Sequence, residues 1–131
     1  MKKTLWAGRI VSALAVLFML FDGVTHLMKP APVAEAFTRL GFPLSLSVEL
    51  GIIELLCVVV YVIPRTSILG AILITGYLGG AVATHLRVLD PVFDTIFPIL
   101  IGALVWGGLY FRYRRLRALI PLIEPRPVME H

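Results

Sequence analysis

Four long apolar segments, separated by prolines and charged residues, make up most of this chain. They cover approximately residues 5–28, 44–63, 67–89 and 94–113. A helix that rises about 1.5 Å per residue needs roughly 20 apolar residues to cross a hydrocarbon core of about 30 Å. The pattern therefore predicts an all-α integral membrane protein, a four-helix bundle that forms one transmembrane domain over residues 1–131.

The composition and the charge distribution agree with a membrane environment. Hydrophobic residues make up 59% of the chain and charged residues 15%, whereas soluble domains carry about 45–50% apolar and about 25% charged residues. The basic residues lie at the ends of apolar segments rather than on one polar face. This placement argues against a nucleic-acid partner despite the net charge of +4. The lipid bilayer is the predicted partner.

The lysines and arginines also predict an orientation. Nine of the twelve lie on one side of the predicted bundle, together with both chain ends, and only Lys29, Arg39 and Arg87 lie on the other. The positive-inside rule then places both termini in the cytoplasm. An alternative is a cleaved signal peptide, but the first apolar segment exceeds the usual 7 to about 15 residues and contains Arg9 and Asp22, which disfavours that interpretation.

Two further patterns concern packing. After Pro32, apolar residues recur at helical spacing up to Leu40, and Gly41 follows, which predicts a short amphipathic helix on the outer side. Sealing of the bundle is favoured over gating as its role. Glycines at helical spacing predict close helix contacts, within the bundle or in a homodimer: Gly76, Gly80, Gly102, Gly107 and Gly108.

Ionisable residues inside or beside the apolar segments cluster toward the predicted outer side. A charged group in the bilayer core costs at least about 2.5 kcal/mol, so these side chains should face the bundle interior and mark an outward-opening polar cavity. Glu49 and Glu54 diverge by about 140° around the helix, so they do not both point at the bundle centre. Glu54 is the better buried candidate, because it lies near mid-membrane and Glu49 lies at the outer start of the helix. The candidate cavity-lining residues are Asp22, His26, Glu49, Glu54, His85 and Arg87.

Structural roles for the same residues remain open alternatives. Asp22 and His26 are four residues apart and share a helix face, so Asp22 has either His26 or Arg87 as a partner. His85 has an interfacial role as its alternative. No metal is predicted, because the chain lacks motifs such as His-Glu-x-x-His and contains a single cysteine, Cys57. Phosphate-binding loops and nucleophile elbows are also missing from the sequence.

Several segments in order resemble the DoxX-like family of small bacterial four-helix membrane proteins. The similar segments are residues 21–27 (FDGVTHL), 37–43 (FTRLGFP), 51–55 (GIIEL), 69–73 (LGAIL) and 76–85 (GYLGGAVATH). The resemblance implies a multi-pass protein of the bacterial inner membrane. The family takes its name from a subunit of a thiosulfate:quinone oxidoreductase, which implies a quinone as the candidate cofactor and leaves enzymatic activity open.

Two functional hypotheses follow. In the first, the protein binds a small molecule or quinone in an outward-opening polar cavity lined by Glu54 and His85, as part of a redox or stress-related system in which Glu54 or His26 relays protons. In the second, it is a non-catalytic accessory or scaffold subunit whose glycine faces dock another membrane protein. A small transporter ranks last, because four spans without internal repeats require a dimer to form a path.

Overall fold

The computed structural model describes residues 2–123, and this part of the chain folds into helices without strands. Arg126, one of the arginines used to predict the orientation, lies outside the described residues. The elements in chain order are α1 (Lys2–Met28), α2 (Ala31–Leu40), α3 (Leu46–Val62), a 3-10 turn (Pro64–Thr66), α4 (Ser67–Arg87), α5 (Val92–Arg112) and α6 (Arg114–Arg117).

Prolines and one glycine set the helix boundaries, as the sequence predicts. Pro30 precedes α2, Pro64 starts the 3-10 turn after α3, and Pro91 precedes α5. Gly41 ends α2 in the left-handed conformation, with φ at 79°, and donates its backbone N–H to the last turn. Glycine adopts this conformation without a steric penalty. The predicted amphipathic helix after Pro32 is therefore confirmed as α2.

The four long helices form a ring in which α1 and α4 each pack against α3 and α5. The start of α1 and the end of α5 lie at one end of the bundle, here called the terminal end, and α2 lies at the opposite end, here called the α2 end. Within the described residues, α1, α4 with its preceding turn, and α5 are long and apolar enough to cross a membrane. The 17-residue α3 is shorter. Residues 2–123 are thus all-helical, with three helices that are long and apolar enough for a membrane protein.

The buried core lies mainly in the terminal half of the bundle. Large apolar side chains such as Leu17, Leu56 and Ile99 remain exposed on the outer surface of the bundle, as expected for helices that face lipid. Inside, Tyr61 donates its hydroxyl hydrogen to the Val105 carbonyl oxygen at 2.8 Å. The core side chains include Ala15, Met19, Val58, Tyr61, Ala71, Ile74, Val105 and Leu109.

Most of the glycines predicted to make close helix contacts do not make them, and other glycines do. A Cβ on Gly51 would lie 2.8 Å from the Gly23 carbonyl oxygen, and one on Gly108 would lie 2.9 Å from the Ser12 backbone nitrogen. A Cβ on Gly76 or Gly80 would meet nothing within 4 Å. The close contact predicted at these two positions is therefore not made within the described chain.

The remaining predicted glycines do not change this result. Gly102 and Gly107 have ordinary packing distances to side chains of neighbouring helices. Gly108 alone among the predicted glycines lies at a close helix contact, between α1 and α5. Sequence spacing finds small residues on a helix, but it does not tell which of them face a neighbouring backbone.

Candidate functional site

A cavity of about 660 Å³ occupies the α2 half of the bundle. All four long helices contribute to it, and residues of α2 lie across its end. Space exists here because the α4 wall carries the small residues Gly76, Gly80 and Ala81, and no side chain in the described part of the chain reaches the two glycines. The small size of these α4 residues therefore creates the cavity.

The polar floor of this cavity consists of Asp22, His26, Glu54 and Tyr77. Glu54 is 1% exposed, and the Tyr77 hydroxyl donates to its Oε2 atom at 3.1 Å. The close approach of α1 and α3 at Gly23 and Gly51 brings Glu54 beside the α1 residues. Because these glycines lack a Cβ, the two backbones approach closely enough for a side-chain cluster to form across them.

His26 connects the two acidic residues of the floor. Its Nδ1 atom lies 2.7 Å from the Asp22 carbonyl oxygen. A carbonyl only accepts hydrogen bonds, so Nδ1 carries the hydrogen. The same nitrogen lies 3.5 Å from Asp22 Oδ2 and 3.9 Å from Glu54 Oε2. The contact that the sequence predicts between Asp22 and His26 is present, and Glu54 joins it from α3.

The floor also has residue types that bind metals. Ligand atoms of Asp22, His26 and Glu54 lie within 4.8 Å of one another. However, His26 Nδ1 donates its hydrogen to a backbone carbonyl, so this nitrogen has no free lone pair in the observed geometry. We assign no metal to the cluster, and the prediction of no metal stays a prediction.

Aromatic rings form one wall of the cavity above the floor. Phe18 of α1 and Phe97 of α5 meet edge to face with their centroids 4.8 Å apart, and Phe93 lies 5.5 Å from Phe97. Leu78 and Ile101 add aliphatic surface. An apolar wall next to a small number of polar groups is typical of sites that bind small molecules.

Side chains hold α2 across the end of the cavity. Arg39 of α2 places Nε 2.9 Å from Asp90 Oδ1, and His85 places Nδ1 2.6 Å from Asp90 Oδ2. We call these three residues the latch. The hydrogen bond from His85, followed by the hydrogen bond and charge of Arg39, holds the pKa of Asp90 below its ordinary value of 3.8. Arg87 adds a hydrogen bond to the Leu40 carbonyl oxygen.

Four of the six candidate residues border the cavity: Asp22, His26, Glu54 and His85. Glu49 is exposed on α3 and does not line it. Arg87 also lies outside the lining, because its guanidinium reaches the end of α2 and stacks over the Phe42 ring. The alternative partnership of Asp22 with Arg87 is therefore not formed.

Sequence reasoning missed several residues that shape the site. Tyr77 binds Glu54 from α4, and its only sequence signal is a hydroxyl within an otherwise apolar segment. The sequence places Asp94 in the outer-side cluster of ionisable residues but not among the six candidates, and the structure shows that it lines the cavity from the first turn of α5. The pairing of Arg39 with Asp90 joins residues 51 positions apart, and no local pattern predicts such a contact.

Comparison with known proteins identifies the family of this chain. A model of the DoxX-like family matches residues 10–108, a range that includes the floor, the aromatic wall and the latch. Searches of the curated proteins and of the solved structures found no match. The family resemblance stated from the sequence segments is thus confirmed.

Proposed function

The chain belongs to the DoxX-like family, and we propose that it binds a small amphipathic molecule, with a quinone as the leading candidate, in the cavity beneath α2. One observation carries this proposal: the buried carboxyl of Glu54, with Tyr77 as its hydrogen-bond donor, lies at the base of an aromatic-walled cavity. Membrane proteins rarely keep an ionisable residue at such depth without a functional role.

The size and lining of the cavity suit this ligand class. A volume of about 660 Å³ falls within the range of about 300–1,000 Å³ that holds small ligands. Phe18, Phe93 and Phe97 offer surface to a ring, while the floor offers hydrogen-bonding groups to a polar head. A quinone combines both features, because its ring is flat and its two carbonyl oxygens accept hydrogen bonds.

The redox-linked form of the proposal assigns the chain a role in proton transfer. Reduction of a quinone to a quinol takes up two electrons and two protons. Glu54 and His26 are positioned to exchange protons with a headgroup at the floor, as general acids and bases do. The electrons come from a donor outside this chain, so the proposed role of the chain is to hold the headgroup and supply protons.

The proposal includes a topology. In it α3 is the fourth span, since its 17 residues reach the lower limit for crossing a bilayer. The terminal end lies in the cytoplasm of a bacterial inner membrane, because its described charged residues are all basic. The cavity then faces the opposite side of the membrane, and α2 separates it from that compartment.

Neighbouring glycines of α4 provide a matched test. Gly80 lines the cavity and Gly79 lines a groove on the other side of α4, and a Cβ at either position meets nothing within 4 Å. Leucine at Gly80 fills the cavity, whereas leucine at Gly79 leaves it open. We expect Gly80→Leu to abolish binding of a short-chain ubiquinone, measured by native mass spectrometry, and Gly79→Leu to retain it.

Polar variants test the floor in the same assay. Glu54→Gln keeps an oxygen that accepts the Tyr77 hydrogen bond but removes the acidic group, and we expect weaker quinone binding. If Glu54→Gln, His85→Ala and Gly80→Leu all fold and bind the quinone as the parent protein does, the proposal fails.

A second candidate function has its own observation. A shallow groove of about 380 Å³ between α4 and α5 contains Gly79, Gly102 and Ala103, and small residues of this kind let a helix of another protein approach closely. The protein would then act as an accessory subunit or dimer partner. Co-purification of a stoichiometric partner that is lost in Gly79→Leu and kept in Gly80→Leu supports this function over the cavity function.

A further inference from the structure

The charges around the cavity are unbalanced. Among the described residues, three carboxyl side chains line it, those of Asp22, Glu54 and Asp94, and Arg39 is the one Lys or Arg side chain in the lining. Arg39 is already bound to Asp90. Both histidines that line the cavity donate a hydrogen bond from Nδ1. The acceptor for His26 is a backbone carbonyl, and the acceptor for His85 is the Asp90 carboxylate. An acidic excess therefore remains inside the cavity.

The acidic excess is concentrated at the floor. Asp22 and Glu54 belong to the group of ligand atoms that lie within 4.8 Å of one another. Two carboxylates this close repel each other when both are ionised, so the pair is most stable with a shared proton or a bound cation between them. Asp22 is the accessible member, with 36% of its side chain exposed, whereas Glu54 is enclosed.

The wall beside this pair indicates which kind of cation fits. The ring of Phe18 stands on the same α1 face as Asp22, one turn away, and Phe97 and Phe93 extend the aromatic surface. Aromatic rings attract organic cations through their negative faces. A bare metal ion would leave this wall and most of the volume of about 660 Å³ unused.

From these observations we infer that the cavity selects lipophilic organic cations, amines and quaternary ammonium compounds, with Asp22 as the counter-ion and the aromatic wall as the surface against which the cation and its apolar part pack. This inference rests on the proposed function, a small amphipathic ligand in the cavity beneath α2, and within that function it favours a cationic ligand over the neutral quinone. The charge distribution points the same way, because the six acidic residues of the described chain all lie between the bundle middle and the α2 end, where they outnumber the three basic residues Lys29, Arg39 and Arg87.

A pair of isosteric probes tests the inference. Benzyltrimethylammonium and neopentylbenzene have nearly the same shape and differ in the positive charge. Binding is measured on the full chain in lipid nanodiscs, with empty nanodiscs to subtract partition into lipid. We expect the ammonium probe to bind at least about tenfold more tightly than the neutral probe, and Asp22→Asn to remove this preference.

Two controls separate a local role from a general effect of charge. Glu49→Gln removes one carboxylate from α3 outside the cavity and should leave ammonium binding unchanged. Phe97→Leu shortens the aromatic wall and should weaken binding of the ammonium probe more than binding of the neutral probe. This variant provides a second test if Asp22→Asn folds poorly. Equal binding of both probes, or full ammonium binding by Asp22→Asn and Phe97→Leu, overturns the inference.

The quinone assay distinguishes the two levels of the proposal. If a short-chain ubiquinone binds in a manner that Gly80→Leu blocks while the ammonium probe shows no preference, the organic-cation inference fails and the proposed function stands. If neither the quinone nor the ammonium probe binds the parent protein above the empty nanodiscs, both fail.

Discussion

The two halves of this bundle use the same residue types for opposite purposes. In the terminal half, Gly108 brings α5 against α1, and Ser12, Tyr61 and Val105 are joined by hydrogen bonds in a closed core. In the α2 half, Gly76 and Gly80 face open space and the polar groups surround a cavity. Glycine thus closes one half and opens the other, which separates the packed core from the proposed binding cavity along the length of the bundle.

The largest expected effect comes from exchanging glycine for leucine in each half. Gly108→Leu places a side chain against the Ser12 backbone, and overpacking of this kind costs about 3 kcal/mol. Gly80→Leu meets open space and gains helix propensity of up to about 1 kcal/mol. Thermal unfolding in detergent should show a lower midpoint for Gly108→Leu but not for Gly80→Leu. Similar losses in both variants would contradict the difference between the halves.

The hydroxyl of Tyr61 gives the next effect. It lies 2.7 Å from Ser12 Oγ and donates to the Val105 carbonyl oxygen, so Tyr61→Phe leaves a buried hydroxyl and a carbonyl without this partner. We expect a loss of about 1–3 kcal/mol in the free energy of unfolding, with ligand binding in the other half unchanged. Tyr110→Phe is the control, because that hydroxyl makes no hydrogen bond within residues 2–123.

A pH-dependent effect is expected at the latch. Asp90 has a lowered pKa when it is bound to His85 and Arg39. The ionised carboxylate therefore holds α2 fully at pH values above the ordinary carboxyl pKa of 3.8, and this contribution is lost as the pH falls through the lowered pKa. A spin label on Thr38, which is exposed on α2, should become more mobile at acidic pH.

The matched variant for this measurement is Asp90→Asn. It removes the carboxylate, so the label should be mobile at neutral pH already and its mobility should no longer follow the titration of residue 90. A label that responds to pH identically in the parent protein and in Asp90→Asn would show that another group controls α2.

The smallest effect is predicted for Glu49. Its side chain is exposed on α3 and lies outside the cavity, and exposed substitutions of this kind usually change stability by less than about 0.5 kcal/mol. Glu49→Gln should therefore match the parent protein in unfolding midpoint and in ligand binding, whereas Glu54→Gln should not match it in binding. Parallel titrations of the two variants with the quinone check this contrast.

The sequence predicted the helices more completely than the site. Apolar length and proline positions suffice for α1, α4 and α5, because backbone hydrogen bonds must be satisfied within each segment in lipid. Periodicity also separated Glu54 from Glu49, since residues five apart on a helix diverge. The roles of Tyr77 and Asp90 could not be predicted, because each acts through a residue distant in the chain.

By itself the sequence determined that this protein is helical, apolar and membrane-embedded, and that its acidic residues gather toward one end. Those properties depend on local spacing and composition, which a single chain displays directly. The tertiary structure alone decided which glycines touch a neighbouring helix and which leave a cavity, and it placed Glu54 beside Asp22 and His26. These facts depend on how helices rotate against one another, and rotation is set by packing between segments that are far apart in sequence.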